Sequence, residues 1–253
     1  MTTTHSKFSK VGFLEDQRPF FDQLIENDWN SYLNDEWDAV RTEECQKIIQ
    51  HLPISPATIL DIGCGCGFHD KVFASSAFVK KVVGVDYSEK SISRANESYP
   101  HPKIQRKVSN ILDEYKELRS EIGTFDLVCS FQVIEHVKDA AAFLEIHKDF
   151  TSPGGYIAIG TPNWKTITNR IKQAIGVAPA LSDPMHYREF TPSDLDDLAR
   201  KIDLAPVAHF GLRASLSIKG ITILPVRSTL SKTIGKRYPS FSNSFVSIYK
   251  SKQ

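Results

Sequence analysis

Disulfide chemistry has little to work with in this chain. Its four cysteines (Cys45, Cys64, Cys66 and Cys129) include no Cys-x-x-Cys pair. Neither a disulfide framework nor a cysteine-rich metal knuckle is expected, and the thiols read as reduced. Long apolar runs are missing too. A membrane span needs ~18 consecutive apolar residues, and the densest stretches, such as Gly220–Val226, fall far short. Met1–Lys10 is polar and lacks the apolar stretch of a secretory leader. No repeat period and no low-complexity segment occurs. Strong charge of one sign is absent as well, with 31 Lys and Arg against 30 Asp and Glu. These absences point to a soluble cytoplasmic protein.

What the chain does have is a composition for one sizeable core. It has 253 residues, 41% hydrophobic and 24% charged, so folding should bury roughly 70–75% of the surface of the unfolded chain. The near-neutral total hides an asymmetry. Residues 204–253 hold eight basic side chains and no acid, so the rest of the chain is net negative. A basic segment on an acidic body suggests either one face that attracts anions or simply a solvated surface that helps solubility.

Along the chain, residues 13–51 show helical spacing in Phe20, Phe21, Leu24 and Ile25, then in Trp37, Val40, Cys45, Ile48 and Ile49. After Pro53 and Pro56 the pattern changes. Short apolar runs at Ala57–Ile62, Lys81–Asp86, Ile104–Val108, Phe125–Phe131 and Gly155–Gly160 read as strands. Helical segments separate them at Asp70–Ala77, Ser88–Ser98, Leu112–Ile122 and Ala140–Phe150. Strands alternating with helices predict βαβ units and a parallel sheet covered on both faces. Thr191-Pro192-Ser193-Asp194 opens a further helix to about Lys201, with Thr as N-cap. Pro206–Leu212 and Ser244–Lys250 are the expected last strands. The expected organisation is a single domain over residues 1–253: an N-terminal helical cap (1–52), a ligand-binding core (56–163), a lid insertion (164–190), then a helix and final strands (191–253).

The sharpest local signal is Ile59-Leu60-Asp61-Ile62-Gly63-Cys64-Gly65-Cys66-Gly67-Phe68, a strand running through three alternate glycines into a helix. Such glycines allow a tight turn and close approach of a ligand to bare backbone. The dinucleotide fingerprint needs its third glycine one place later, where Phe68 stands. Asp61, two residues before the first glycine, would repel a phosphate. One βα unit on, Asp86 closes the second strand, where an acid accepts from ribose hydroxyls. The site therefore suits a nucleoside with free 2′ and 3′ hydroxyls and a cationic tail. S-adenosylmethionine fits that description.

Asp61–Gly67 followed by Asp86 resembles the cofactor motif of class I S-adenosylmethionine-dependent methyltransferases. Phe125–Val137, with Glu135-His136, is similar to strand four and its loop in the ubiquinone-biosynthesis O-methyltransferase branch. Pro153-Gly154-Gly155, Thr161-Pro162-Asn163 and His186-Tyr187-Arg188-Glu189-Phe190-Thr191-Pro192 match later blocks of that branch in order. The resemblance covers roughly residues 35–250. It implies an α/β, Rossmann-like, seven-stranded and mostly parallel sheet with helices on both faces. It also implies S-adenosylmethionine as cofactor. Asp61, Gly63, Cys64, Gly65 and Gly67 would line its methionine part, Asp86 would hold its ribose, and Tyr87 would belong to the cofactor site. Phe131 would lie over the adenosine, and Ser109-Asn110 would take the adenine amino group. Arg41 would meet the carboxylate.

Removing a proton from an acceptor hydroxyl needs a base near the carboxyl edge of the sheet. His136, after strand four and beside Glu135, is the first choice, since free imidazole titrates near neutrality. His186 is the second. Some relatives hold a divalent cation in a Glu-x-x-Glu-His pattern; here Gln132 replaces the first acid, so no metal is expected. Motifs for methylating DNA bases or protein arginine are absent, and DNA is not an expected partner. The expected acceptor is a small molecule, anionic or carried on a lipid or sugar, and O-methylation is the expected reaction. The alternatives are an RNA methyltransferase, which the basic C-terminal segment keeps open, and a non-catalytic S-adenosylmethionine-binding protein. A nicotinamide-dependent oxidoreductase is disfavoured by the displaced third glycine.

Overall fold

The computed structural model describes residues 16–32, 35–53, 57–218, 221–226 and 228–252. Two helices come first, α1 (Arg18–Tyr32) and α2 (Asp35–Gln50). An alternating stretch follows: β1 (Ala57–Ile62), α3 (Phe68–Ser75), β2 (Val79–Asp86), α4 (Glu89–Ser98), β3 (Ile104–Val108), α5 (Ile111–Ile122) and β4 (Phe125–Phe131). A 3₁₀ turn at Ile134–His136 leads to α6 (Ala140–Phe150), β5 (Thr151–Pro162), α7 (Ile167–Ala174), α8 (Pro192–Lys201) and β6 (Leu204–Gly211). The chain then forms a hairpin, β7 (Leu216–Ile218) with β8 (Ile221–Leu224), followed by α9 (Thr229–Arg237), a 3₁₀ turn at Pro239–Phe241 and β9 (Ser244–Ser251).

Seven strands form one sheet in the order β3-β2-β1-β4-β5-β9-β6. β1 to β5 pair in parallel, and β9 enters antiparallel between β5 and β6. Successive residues of a strand point to opposite faces, and both faces are buried. Leu60, Ile62, Val83, Val85, Val128 and Ile157 pack with α5, α6 and α8 residues on one side. Ile59, Val82, Leu127 and Ala158 pack with α2 and α3 residues on the other. The order reverses between β1 and β4, and the crevice at their carboxyl ends is where open α/β sheets bind ligands.

Helix starts follow local chemistry. Ser88, Asn110, Asp139 and Thr191 each cap a helix through a side-chain oxygen, and Thr191 completes a capping box with Asp194. The helical stretch expected over 13–51 is two helices; residues 13–15 and 33–34 of that span lie outside the described residues. The basic stretch 213–240 between the two expected last strands holds the β7–β8 hairpin and α9, while Lys219 and Arg227 lie outside the described residues. Among the described residues no helix is long and apolar enough to cross a membrane.

One buried polar contact ties α6 to the sheet under the crevice. His147 donates from Nδ1 to Phe143 O (2.8 Å), and its Nε2 accepts the Ser130 hydroxyl (3.0 Å). Both side chains are fully buried. Burial pulls this imidazole down to about 4. The unfolded chain takes the proton below ~6.5 and the folded protein only near the lower value, so stability from this group is complete above ~6.5 and is lost as pH falls. The stability advantage of wild type over His147→Leu should therefore shrink by about 2 kcal/mol between pH 7 and pH 5. Urea melts at the two values measure it; an unchanged difference would mean that His147 is not held neutral.

Candidate cofactor and active site

The glycine loop is built for bare backbone. Gly63, Gly65 and Gly67 have φ of 72°, 51° and 75°, a region open to glycine and costly to side chains. The Gly63 and Cys64 N–H groups both donate to Val85 O (2.7 and 3.1 Å), which fixes the turn on β2. A Cβ on Gly63 would strike Val133 at 2.5 Å, and one on Gly67 would strike Arg106 at 2.6 Å. A Cβ on Gly65 would meet no atom within 4 Å. Of the three, only the middle glycine opens onto empty space.

Asp86, at the end of β2, stands beside that opening. Its Oδ2 accepts from Gly65 N–H (2.9 Å) and its Oδ1 from Ser88 N–H (2.9 Å). Burial raises its carboxyl to about 6 against the pull of those two donors. Each oxygen keeps a further lone pair for a hydroxyl donor. The open glycine and this acid fit the loop and ribose requirements of S-adenosylmethionine.

α1 closes the site from above. Ser88 donates its hydroxyl to Asp22 on α1 (2.5 Å), and Ile25 packs on Cys66 and Phe68. The Arg18 guanidinium lies 5.6 Å from the centre of the Tyr87 ring, and Arg41 lies 4.0 Å over Phe68 with a 3.4 Å contact to Asp38. Phe131 stacks face to face on His69, with centroids 3.8 Å apart. Asn110 uses its Oδ1 to cap α5, and the Ser109 hydroxyl donates to Glu114 (2.6 Å). Asp61 and Cys64 are both buried.

Beyond β4 the chain presents a second cluster. Gln132 adopts φ of 58° and donates its N–H to Gly160 O (2.8 Å), and the 3₁₀ turn then sets Glu135 and His136 side by side. Glu135 is fully buried, with Oε2 accepting the Thr161 hydroxyl (2.9 Å) and Oε1 lacking a donor among the described residues. Burial raises its carboxyl to about 7. His136 contacts His186 edge-on at 4.7 Å and donates from Nδ1 to Gln17 Oε1 (2.9 Å). Burial, and then the neighbouring His186, lower His136 to about 4. The segment entering α8 is pinned here by Tyr187 N–H donating to Glu135 O (2.8 Å).

His186 is held from behind. Its Nδ1 lies 3.0 Å from Glu189 Oε1, which also accepts from the Ser182 N–H and hydroxyl. Burial opposes ionisation of Glu189, but the bonds from His186 and Ser182 outweigh it and keep the carboxyl low. An Nδ1–H bound to a carboxylate leaves Nε2 as the proton-accepting nitrogen. Glu135, His136 and His186 bring one ligating atom each within 4.8 Å of one another, donor types that also suit a borderline divalent ion. Sequence reasoning assigned Glu189 no role, although its position three residues after His186 was a visible signal. It also missed Gln17 and Asp22, because no local pattern folds α1 back over the loop.

A strand order that reverses beside three left-handed glycines and an acid-tipped β2 defines a nucleoside-cofactor crevice of the methyltransferase type. The family described as "Methyltransferase domain" matches residues 37–209, and the chain belongs to that family. It is a class I S-adenosylmethionine-dependent methyltransferase. It is 28% identical over 200 residues to a ubiquinone biosynthesis O-methyltransferase of Paraburkholderia xenovorans, covering 74% of this chain and 78% of that protein. A mitochondrial ubiquinone biosynthesis O-methyltransferase of Dictyostelium discoideum is 33% identical over 54% of this chain and 44% of its own length. Among solved structures, the N-methyltransferase NodS of Bradyrhizobium japonicum, in complex with S-adenosyl-L-homocysteine, shares the fold. Its TM-score is 0.60 at 14% identity, over 94% of this chain and 100% of that one.

Proposed function

We propose that this methyltransferase acts on a hydroxyl of a small molecule, with His186 as the proton acceptor and His136 beside it. The observation that carries the reading is the run of contacts from Glu189 through His186 to His136, next to Glu135 at the carboxyl end of β4. Asp86 and the glycine loop, with Tyr87 and Arg41, would hold the cofactor. Bound S-adenosylmethionine supplies a methyl carbon already activated for in-line displacement. The chain's own task is to orient the acceptor, keep water out and take one proton. His186 suits the last task, because the contact of its Nδ1 with Glu189 fixes its tautomer and leaves Nε2 to accept. His136, lowered to about 4 by burial and by His186, is a weaker base and serves better as a neutral hydrogen-bonding partner. Its Nδ1–H already goes to Gln17.

A small acceptor is favoured by enclosure. His186 is 7% exposed and Glu135 fully buried. Phe21 of α1 meets the His136 ring edge-on at 5.4 Å, and Phe20 and Leu24 pack on Met185. The two relatives named above as O-methyltransferases support oxygen as the target. The test is incubation with S-adenosylmethionine labelled in its methyl group and fractions of a cell extract. Label should enter small molecules as a methoxy group, with and without chelator. Label confined to RNA would favour the RNA-methylating alternative. Activity lost to chelator and restored by a divalent ion would assign Glu135, His136 and His186 to a metal instead.

A further inference from the structure

We propose that Arg106 is a positioning residue for the cofactor loop, acting by neutralising the carboxyl pair Asp61–Asp70 beneath it. The proposal rests on the cofactor crevice and is independent of what the acceptor is.

Arg106 lies on β3, two strands away from the loop's own β1, yet its guanidinium reaches under Gly67. A Cβ on Gly67 would meet Arg106 Nη2 at 2.6 Å. The Nε–H donates to Asp70 Oδ2 (2.8 Å), and Nη1 donates to Asn96 Oδ1 and Tyr99 O (both 3.2 Å). Nη2 finds no acceptor among the described residues. The ion pair is almost wholly out of water, with side-chain exposures of 2% for Arg106 and 0% for Asp70. One side chain thus joins β3, the first turn of α3 and the end of α4 at the point where the glycine loop becomes a helix. Gly67, which caps α3 at φ 75°, supplies no side-chain cap of its own.

The charge arrangement makes Arg106 more than a strut. Asp61 and Asp70 are neighbouring carboxyl groups, and both are buried. Asp61 Oδ2 and Asp70 Oδ1 find no donor among the described residues. Two adjacent buried carboxylates with unpartnered oxygens are relieved when one of them carries a proton. Burial, and next the charge of Asp70, push the Asp61 carboxyl well up; burial raises Asp70 as well, but its ion pair with Arg106 opposes that rise, so the proton belongs on Asp61. A protonated Asp61, an ionised Asp70 and Arg106 then sum to zero. The other ionisable neighbours do not replace the cation. Asp86 on β2 adds negative charge, and burial raises the Cys64, Cys129 and Cys45 thiols, keeping them neutral. His69 faces Glu44 instead (3.1 Å). Removing Arg106 would leave one buried negative charge with no counter-charge, which the fold can relieve only by taking another proton or admitting water. Both Asp61 and Asp70 adjoin the loop, so either response disturbs the backbone that must meet the cofactor.

The test is calorimetric titration of the full chain with S-adenosylhomocysteine, which needs no acceptor. Arg106→Met should weaken binding at least tenfold. Adding Asp70→Asn removes the stranded charge while leaving an amide to bond Asp61, so the double variant should return to within about threefold of wild type. Asp70→Asn alone strands the guanidinium and should also bind poorly, giving a strongly non-additive cycle. Arg106→Lys keeps the charge and should bind within a few-fold. Wild-type affinity in Arg106→Met would overturn the proposal. So would a double variant no better than Arg106→Met, since a strut role is not restored by a second substitution. If Arg106→Met fails to fold, the decision passes to the other two. A folded, binding double variant and Arg106→Lys support the proposal; an Arg106→Lys that folds without binding overturns it.

Discussion

His186→Ala should lower kcat by about 10²–10⁴-fold, the usual contribution of a positioned base, while cofactor affinity stays within a few-fold. The argument starts from geometry. Glu189 Oε1 is 3.0 Å from His186 Nδ1 and is itself tied to Ser182, so the imidazole is held in one orientation with Nε2 free to accept. The arrangement costs little to reorganise when the proton arrives, because the carboxylate is already in place. Glu189→Gln keeps the shape but not the charge, and its rate should fall between those of wild type and His186→Ala. His136→Ala should cost less, roughly tenfold, since that ring is hard to protonate where it sits. Rates need the acceptor found by the labelling experiment, and thermal melts of each variant separate chemistry from folding. A His136→Ala loss larger than that of His186→Ala would return the base to His136. If both variants keep their rates, the acceptor sheds its proton without help, as an acidic phenol or thiol does.

The fold was legible because its signals are local. Ala57–Ile62, Ile104–Val108 and Phe125–Phe131 are strands over the full expected spans, and α6 runs over Ala140–Phe150 as the pattern predicts. β1 and β4 are buried on both faces, so their apolar runs mark them clearly. Thr191 announced its helix by capping chemistry alone. The less legible parts depend on packing at a distance. The Thr151–Pro162 strand begins four residues earlier than Gly155, since Thr151 pairs with Phe125 across a register shift that no local pattern encodes. The β7–β8 hairpin and α9 were hidden in a segment read for its charge.

The candidate site was legible to the same degree and for the same reason. Asp61, the three glycines and Asp86 form a motif whose spacing fixes its structure. Environment is what the sequence withholds. His136 and His186 look alike as letters; burial weakens the first as a base, and a carboxylate three residues away supports the second. Asp70 stands in the sequence only as the start of a helix, but it is fully buried and paired with Arg106. Asn110, expected to meet adenine, also has a helix to cap.

Gly65→Val should abolish measurable cofactor binding, a loss of at least 100-fold or about 3 kcal/mol, while the protein stays folded. Three features of this one position combine. Its φ of 51° lies where a β-branched residue is strained by about 1–2 kcal/mol. A Cβ there meets no protein atom within 4 Å, so the strain is not compounded by a clash within the protein itself. The new methyls would instead fill the open space next to Asp86, whose Oδ2 holds the Gly65 N–H. Stability should therefore fall by only a few degrees in melting temperature, and Gly65→Ala should show a milder loss of affinity with even less effect on the melt. Gly67→Ala should behave in the opposite way. Its Cβ would strike the Arg106 guanidinium at 2.6 Å and disturb the buried ion pair with Asp70, so the melting temperature should drop further than for Gly65→Val. Titration with S-adenosylhomocysteine alongside thermal melts separates the two glycines. A Gly65→Val protein that binds at wild-type affinity would mean that the cofactor does not approach the loop at its middle glycine.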